Sequence, residues 1–283
     1  KDKAAALGVQ RARLLETALG DKAEAIHRYG DVLAANPLDP DALNALENLL
    51  TDADHREAAA RALLPAYVAQ RDQRKQVGAL AVIAEAANDA LEKITALKKA
   101  AELHSGHLRQ PEQAFASLAT AMRLAPEDAE LRAGARAAAE EADALDSYAE
   151  VVEELIESAQ ESIVVALHCE LADVYERKLN QQDAAVDHLR AVLLVDSKHL
   201  EALRSLQRLY RTKEQFAELV PVTERLSLLE PDPAAKSKLD NLLSGLNCDS
   251  ARCRSMRRVS RSATSCSRTA SSRRCPGQPS RSD

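Results

Sequence analysis

The sequence predicts an all-α protein built as a right-handed α-solenoid, a stack of antiparallel helix hairpins. One basis is a stretch at residues 183–197, DAAVDHLRAVLLVDS, whose apolar residues recur at helical spacing and which has near-copies at 22–37 and 111–126. The other is composition: hydrophobic residues make up 46% of the chain, yet aromatic residues make up 2% and Trp is absent. Ala and Leu dominate the apolar content, which suits closely packed helices.

The first copy predicts a hairpin whose second helix begins near Ala25 and closes at Pro37, since helices seldom run through the residue before a proline. Its first helix contains Ala12, thirteen residues before Ala25. The closing positions 37 and 126 of the first two copies lie 89 residues apart, whereas 126 and 197 lie 71 apart. The longer interval leaves room for about one extra helix, which we place at residues 56–72 around Pro65.

The second and third copies predict the hairpins that follow. Each is succeeded by a more degenerate hairpin, at residues 129–141 with 148–158 and at 200–210 with 216–229, the last ending at Pro231. Residues 5–245 are therefore expected to hold about thirteen helices and no strand. The 71-residue interval between positions 126 and 197 is close to two periods of about 34 residues, the length typical of helix–turn–helix repeats.

Small residues recur at fixed places in all three copies. Ala12, Ala101 and Ala172 match in the first helices, and Ala25, Ala114 and Ala185 match in the second helices. An alanine pair lets two helices approach closely, and a larger residue one turn away fills the space beside it. The larger residues, three positions after the first alanines, are Leu15, His104 and Tyr175.

This pattern resembles the tetratricopeptide repeat family, over residues 5 to about 245. The matching positions are Ala172, Tyr175, Ala185, Leu189 and Ser197 in the third copy, and Ala101, His104, Ala114, Leu118, Ala121 and Pro126 in the second. Two departures are a turn between the helices that looks one residue longer than usual and the absence of the family's early Trp. The alternation of strong and weak units is similar to long arrays in deltaproteobacterial, particularly myxobacterial, proteins.

Charge divides the chain into a helical body, residues 1–246, and a tail, residues 247–283. The tail contains nine Arg, no Lys and two Asp, a net charge of +7. Subtracting these from the chain totals of 38 basic and 44 acidic residues leaves 29 and 42, so the body carries −13. An acidic body argues against nucleic-acid binding by the body, because phosphates require a positive surface.

The tail is predicted to be disordered, and three interpretations of it stay open. It is a basic arm for nucleic acid, a metal knot, or out-of-frame translation of GC-rich DNA, and composition favours the last. Four of the five cysteines lie here, at Cys248, Cys253, Cys266 and Cys275, without the paired CxxC spacing of a zinc site.

No catalytic, cofactor or metal motif is found in the body. GxSxG, HExxH and GxxxxGK[ST] are absent, so neither an enzyme nor a cofactor is expected. His104 and His107 are spaced as ligands on one helix face, but His104 takes the packing slot of Tyr175 and no third ligand is evident. Cys169, next to His168, is interpreted as a buried structural cysteine.

The sequence bears only indirectly on location and completeness. No apolar run approaches the ~20 residues of a membrane span, and no signal-peptide pattern is present, which favours the cytoplasm without deciding the compartment. The chain begins with Lys1, which suggests a fragment of a longer protein or a processed one. The oligomeric state is not indicated.

The resemblance implies a non-catalytic scaffold that binds proteins or peptides through a concave groove lined by the first helices. Transferred by position, the groove-facing candidates are Arg13, Lys98, Glu102, Asp173 and Glu176. Carboxylate-clamp members of the family use Lys and Asn at such places, and this chain lacks the matching Asn. A mixed or acidic groove favours a basic partner. The alternative is an accessory regulatory or recognition region of a larger multidomain signalling protein or enzyme.

Overall fold

The computed structural model describes residues 2–246, and every regular element in that range is a helix. These residues form two compact units. The first unit holds the described residues up to Leu167 together with Arg177–Leu179, and the second holds His168–Glu176 and residues 180–246. The all-α repeat of helix hairpins predicted from the sequence is confirmed. The disorder predicted for residues 247–283 lies outside the described range.

The first unit contains nine complete helices among its described residues. They are α1 (Asp2–Leu14), α2 (Lys22–Ala35), α3 (Pro40–Leu49), α4 (Arg56–Gln70), α5 (Gln73–Ala86), α6 (Ala90–Leu103), α7 (Pro111–Leu124), α8 (Ala129–Glu141) and α9 (Leu145–Ser158). Consecutive helices pack on one another from α4 through α8, and α1 packs on α2. Helix α4 occupies the place predicted for the extra helix, with Pro65 inside it, and three helices separate α2 from α6.

The second unit follows the same plan. Helix α10 (Glu161–Arg177) contributes residues to both units, and α11 (Gln182–Val195), α12 (Leu200–Thr212) and α13 (Phe216–Leu229) belong to the second, with a further helix, α14, at residues 233–246. Helix α12 packs against both α11 and α13. The degenerate hairpins predicted from the sequence are therefore present as α8–α9 and α12–α13.

Aspartates fix where many of the helices begin. An Asp side chain at the N-cap accepts a hydrogen bond from a backbone N–H of the first turn, which would otherwise lack a partner. The distances from the Asp Oδ1 acceptor to the backbone N of the donor are, in chain order, Asp21 from Glu24 (3.0 Å), Asp39 from Ala42 (3.1 Å), Asp72 from Lys75 (3.1 Å), Asp89 from Leu91 (3.3 Å) and Asp128 from Leu131 (3.0 Å). Each such cap stabilises the folded state by about 0.5–2 kcal/mol, so local sequence alone positions these helix starts.

All six of the alanines that recur in the three copies are buried. Each of the six is at most 3% exposed, namely Ala12, Ala25, Ala101, Ala114, Ala172 and Ala185. Helix α1 packs on α2 and α6 on α7, while α10 reaches α11 through a contact between His168 and His188. Small side chains at these points allow the close approach of the helices that the repeat pattern predicts.

The longer turn predicted for the three copies has a common hydrogen-bonded form. A carbonyl near the end of the first helix accepts a bond from the backbone N–H six residues later, and the residue before the donor is left-handed. The donor–acceptor pairs are Asp21 to Leu15 (3.0 Å), Gln110 to His104 (2.9 Å) and Gln181 to Tyr175 (2.8 Å). The left-handed residues are Gly20 (φ 70°), Arg109 (φ 53°) and Asn180 (φ 54°). In the first two copies the extra residue widens the last turn into a π-helical turn, Leu15–Leu19 and His104–Leu108.

The alternate hairpins close with a turn one residue shorter. Here the N–H lies five residues after the carbonyl, in the pairs Asp72 to Tyr67 (3.1 Å), Ala144 to Ala139 (2.8 Å) and Gln215 to Tyr210 (2.9 Å). The left-handed residues are Arg71, Asp143 and Glu214. The α4–α5 hairpin and the two degenerate hairpins predicted from the sequence therefore differ from the three copies in turn geometry.

Candidate functional site

Three of the five groove candidates lie in the first unit and two in the second. Arg13 is exposed at the end of α1, and Lys98 and Glu102 lie one turn apart on α6. Asp173 and Glu176 lie on the part of α10 that belongs to the second unit. Arg13, Glu102 and Asp173 each directly follow the matched alanine of their copy, so they are equivalent positions of the repeat.

Lys98 forms an ion pair with the N-cap of α8. Its Nζ lies 2.8 Å from Oδ2 of Asp128, while Oδ1 of Asp128 accepts the Leu131 N–H. The hydrogen bond from Lys98, followed by the one from Leu131, lowers the pKa of Asp128 below its usual value. Asp128 is therefore charged at neutral pH and balances the charge of Lys98.

Glu176 is also committed to an ion pair within the second unit. Its Oε2 lies 2.8 Å from Nη2 of Arg208 on α12, 32 residues further along the chain. The Glu176 side chain is 17% exposed. The negative charge of Glu176 is therefore balanced by a neighbouring cation, whereas Asp173 and Glu176 were both predicted to face the groove.

A cleft in the first unit brings two of the candidates together. It has a volume of about 370 Å³ and lies among α6, α7 and α8. Its lining comprises Lys98, Ala101, Glu102, Ser105, Ala114, Leu118, Glu130, Leu131, Gly134, Ala137, Ala138 and Glu141. We call it the α6–α8 cleft. Its volume falls in the range of about 300–1,000 Å³ that is common for ligand pockets.

The floor and the rim of the α6–α8 cleft differ in chemistry. The floor is apolar, made mainly of the buried side chains Ala101, Ala114, Leu131 and Ala138. The rim carries the exposed carboxylates Glu102, Glu130 and Glu141. With Lys98, the lining holds one cation and three carboxylates, a net charge of −2 before the charge of Asp128 is counted.

Small residues of α8 keep the cleft open. Gly134 has no side chain, and a Cβ added there would stand 4.0 Å from Cδ1 of Leu118, an ordinary contact. Glu130, Gly134, Ala137, Ala138 and Glu141 follow one another at helical spacing and so share one face of α8. These residues are not among the candidates predicted from the sequence, although a stripe of small and acidic residues at this spacing is visible in it.

The second unit has its own, more polar depression. It has a volume of about 580 Å³ and is lined by Asn180, Gln181, Gln182, Asp183, Ala184 and Lys213. Asp183 and Lys213 form an ion pair there. The lining includes no large apolar side chain, and its two charged residues pair with each other. This depression therefore offers a ligand less apolar contact and less unpaired charge than the α6–α8 cleft does.

Two histidines meet between α10 and α11 in the second unit. Nδ1 of His168 lies 3.0 Å from Nδ1 of His188, and the Tyr175 ring stacks on His188 with centroids 5.4 Å apart. Burial, followed by the charge of His188, lowers the pKa of His168. The neighbouring Cys169 is a half-buried free thiol whose pKa is raised by burial, so it is protonated at neutral pH.

The packing role expected for His104 is confirmed. The side chain is 9% exposed, and its Nδ1 lies 3.1 Å from Oε1 of Gln110. His107 is exposed in the π-helical turn. Among the side chains that the structure describes, those of residues 6–246, no three from His, Cys, Asp or Glu come together in a way that could hold a metal ion. No helix in the same range has both the length and the apolar character needed to cross a bilayer.

No family model matches the chain, and no curated protein matches it. Solved structures do resemble it. The crystal structure of MamA is 16% identical over 58% of this chain and 92% of its own, with a TM-score of 0.36. A tetratricopeptide repeat protein from Parabacteroides merdae is 11% identical over 86% of this chain and 99% of its own, with a TM-score of 0.32. YrrB, described as a TPR protein with an unusual peptide-binding site, is 14% identical over 81% and 99%, with a TM-score of 0.29.

Proposed function

We propose that this chain is a non-catalytic scaffold that binds segments of other proteins, and that the α6–α8 cleft is one of its binding sites. The observation that carries the proposal is an open cleft of about 370 Å³ with an apolar floor. A repeat of stacked hairpins leaves one face of each hairpin available to a partner, because each repeat contacts only its neighbours. Lys98 and Glu102 belong to this site.

The equivalent positions extend the proposal to the other copies. Arg13 and Asp173 stand where Glu102 stands in the second copy, so we assign them to the corresponding faces of α1 and α10. Glu176 serves there as a partner of Arg208 rather than as an independent contact. Partners, in this proposal, are proteins or peptides and not nucleic acids, since the body carries a charge of −13.

The test introduces a larger side chain into the lining of the α6–α8 cleft. Peptides selected by display on the full chain are titrated against wild type, Gly134→Leu and the control Gly78→Leu. A Cβ at Gly78, on α5, meets no atom within 4 Å, so the control adds the same side chain in open space. We expect Gly134→Leu to weaken the selected peptides about tenfold or more, the effect of losing a well-buried contact. Equal binding to all three proteins would place the peptides elsewhere and contradict the proposal.

A further inference from the structure

We propose that the partner segment of the α6–α8 cleft is basic, with an arginine whose stem lies on the apolar floor and whose guanidinium lies among Glu102, Glu130 and Glu141. This inference rests on the proposed function and adds the chemistry of the ligand. The sequence predicts a mixed or acidic groove, and this inference places its acidic part in the α6–α8 cleft.

The charges of the α6–α8 cleft favour a cationic ligand. Lys98 is the one cation of the lining, and its ion pair with Asp128 at 2.8 Å offsets its charge, which leaves the three rim carboxylates unbalanced. The three rim carboxylates belong to two different helices, Glu102 to α6 and the other two to α8. A ligand that enters the cleft therefore meets negative charge from both sides, and charge complementarity favours a cation.

The apolar floor of the α6–α8 cleft suits a ligand side chain with a methylene stem. Ala101, Ala114 and Ala138 present methyl groups, and Leu118 is half-buried beside Gly134. The methylene stems of Arg and Lys cover apolar surface of this kind while the charged head stays at the polar rim. An acidic or purely polar side chain would leave the floor exposed to water and meet charge of its own sign.

Arginine fits the rim better than lysine does. Its planar guanidinium offers five donors in a fixed fork, so one side chain is able to contact carboxylates from both helices, whereas a lysine ammonium is a more strongly hydrated point charge. A peptide in which arginine alternates with alanine is thus expected to bind more tightly than the matched lysine peptide.

The experiment uses the full chain and short fluorescein-labelled peptides in which arginine, lysine or glutamate alternates with alanine. Anisotropy titrations compare wild type, the cleft variant Glu102→Gln/Glu130→Gln/Glu141→Gln and a control variant. The control, Glu112→Gln/Glu150→Gln/Glu157→Gln, removes the same charge from exposed positions of the first unit outside the cleft. Each titration is run at low and at high salt.

We expect the arginine peptide to bind wild type and the control variant alike and to bind the cleft variant about tenfold more weakly at low salt, the sum of three exposed ion pairs. High salt should narrow this difference, since exposed charges are screened beyond ~10 Å at 0.1 M. Equal losses in the two variants would mean general attraction to an acidic body and would overturn the proposal, as would tighter binding of the glutamate peptide.

The failure of this inference is distinguishable from failure of the proposed function. If display-selected peptides lose affinity for Gly134→Leu but not for the cleft variant, the cleft binds peptides and the proposal that its ligand is basic is wrong. If those peptides bind Gly134→Leu as well as they bind wild type, the cleft is not a peptide site and both proposals fall.

Discussion

Replacing Ala172 by leucine probes the helix pairing on which the repeat depends. Ala172 is 3% exposed on α10, and its matched alanine on α11, Ala185, is fully buried. An isobutyl group in place of the methyl is expected to overpack a position that is this buried, and overpacking costs about 1–3 kcal/mol of folding free energy. For a chain of this size that loss lowers the melting temperature by about 2–12 °C.

Urea titration followed by far-ultraviolet circular dichroism measures the effect. Ala166→Leu is the control, because Ala166 lies exposed on the same helix and the substitution is identical. The control should unfold within about 0.5 kcal/mol of wild type, as surface substitutions generally do. If Ala172→Leu also unfolded at the wild-type midpoint, Ala172 would not lie at a close helix contact and the repeat alignment would be misplaced.

Four further predictions concern stability. Gly78→Ala should raise the unfolding free energy by about 0.5–1 kcal/mol in urea titrations, since alanine favours a helix and has room there. Gly8→Ala should show no such gain, because its Cβ would stand 2.8 Å from Cγ2 of Val32. Arg109→Gly should raise the melting temperature by a few degrees, about 0.5–1 kcal/mol, because φ of 53° favours glycine. Burial holds the pKa of His168 below the 6.5 of the unfolded chain, so protonation favours unfolding and stability should fall as the pH drops below about 6.5. His168→Gln should flatten that fall in denaturation midpoints measured across the acidic range, and an unchanged slope would contradict it.

The fold was predictable because its signals are local. Paired alanines such as Ala101 and Ala114 mark close helix contacts at fixed spacing, and aspartate caps such as Asp128 mark helix starts. The extra residue of the longer turns was visible in the sequence as a longer spacing between the two helices of each copy. The hydrogen-bonded form of these turns was not predictable. The bond from the Gln110 N–H to the His104 carbonyl depends on a left-handed Arg109, and arginine has no preference for that conformation.

The site was predictable only in part. Lys98 and Glu102 were found because the strong copies align, but Glu130 and Glu141 lie in a degenerate unit that offers no alignment. The pairing of Lys98 with Asp128 joins residues 30 apart in sequence, and it follows from how α6 and α8 come together rather than from either local pattern. Tertiary packing therefore decides which charges of the groove are available to a ligand.

Photo-crosslinking from single positions tests the central claim, that the α6–α8 cleft is a binding surface, most directly. A benzophenone amino acid replaces Ala137, exposed in the cleft lining, or Ala116, exposed on α7 outside that lining. Each full-length protein is irradiated with the arginine–alanine peptide, and the adduct is measured by mass spectrometry. We expect a strong adduct from position 137 that excess unlabelled peptide removes, and little adduct from position 116. Equal yields from the two positions, or a stronger adduct from position 116, would contradict it.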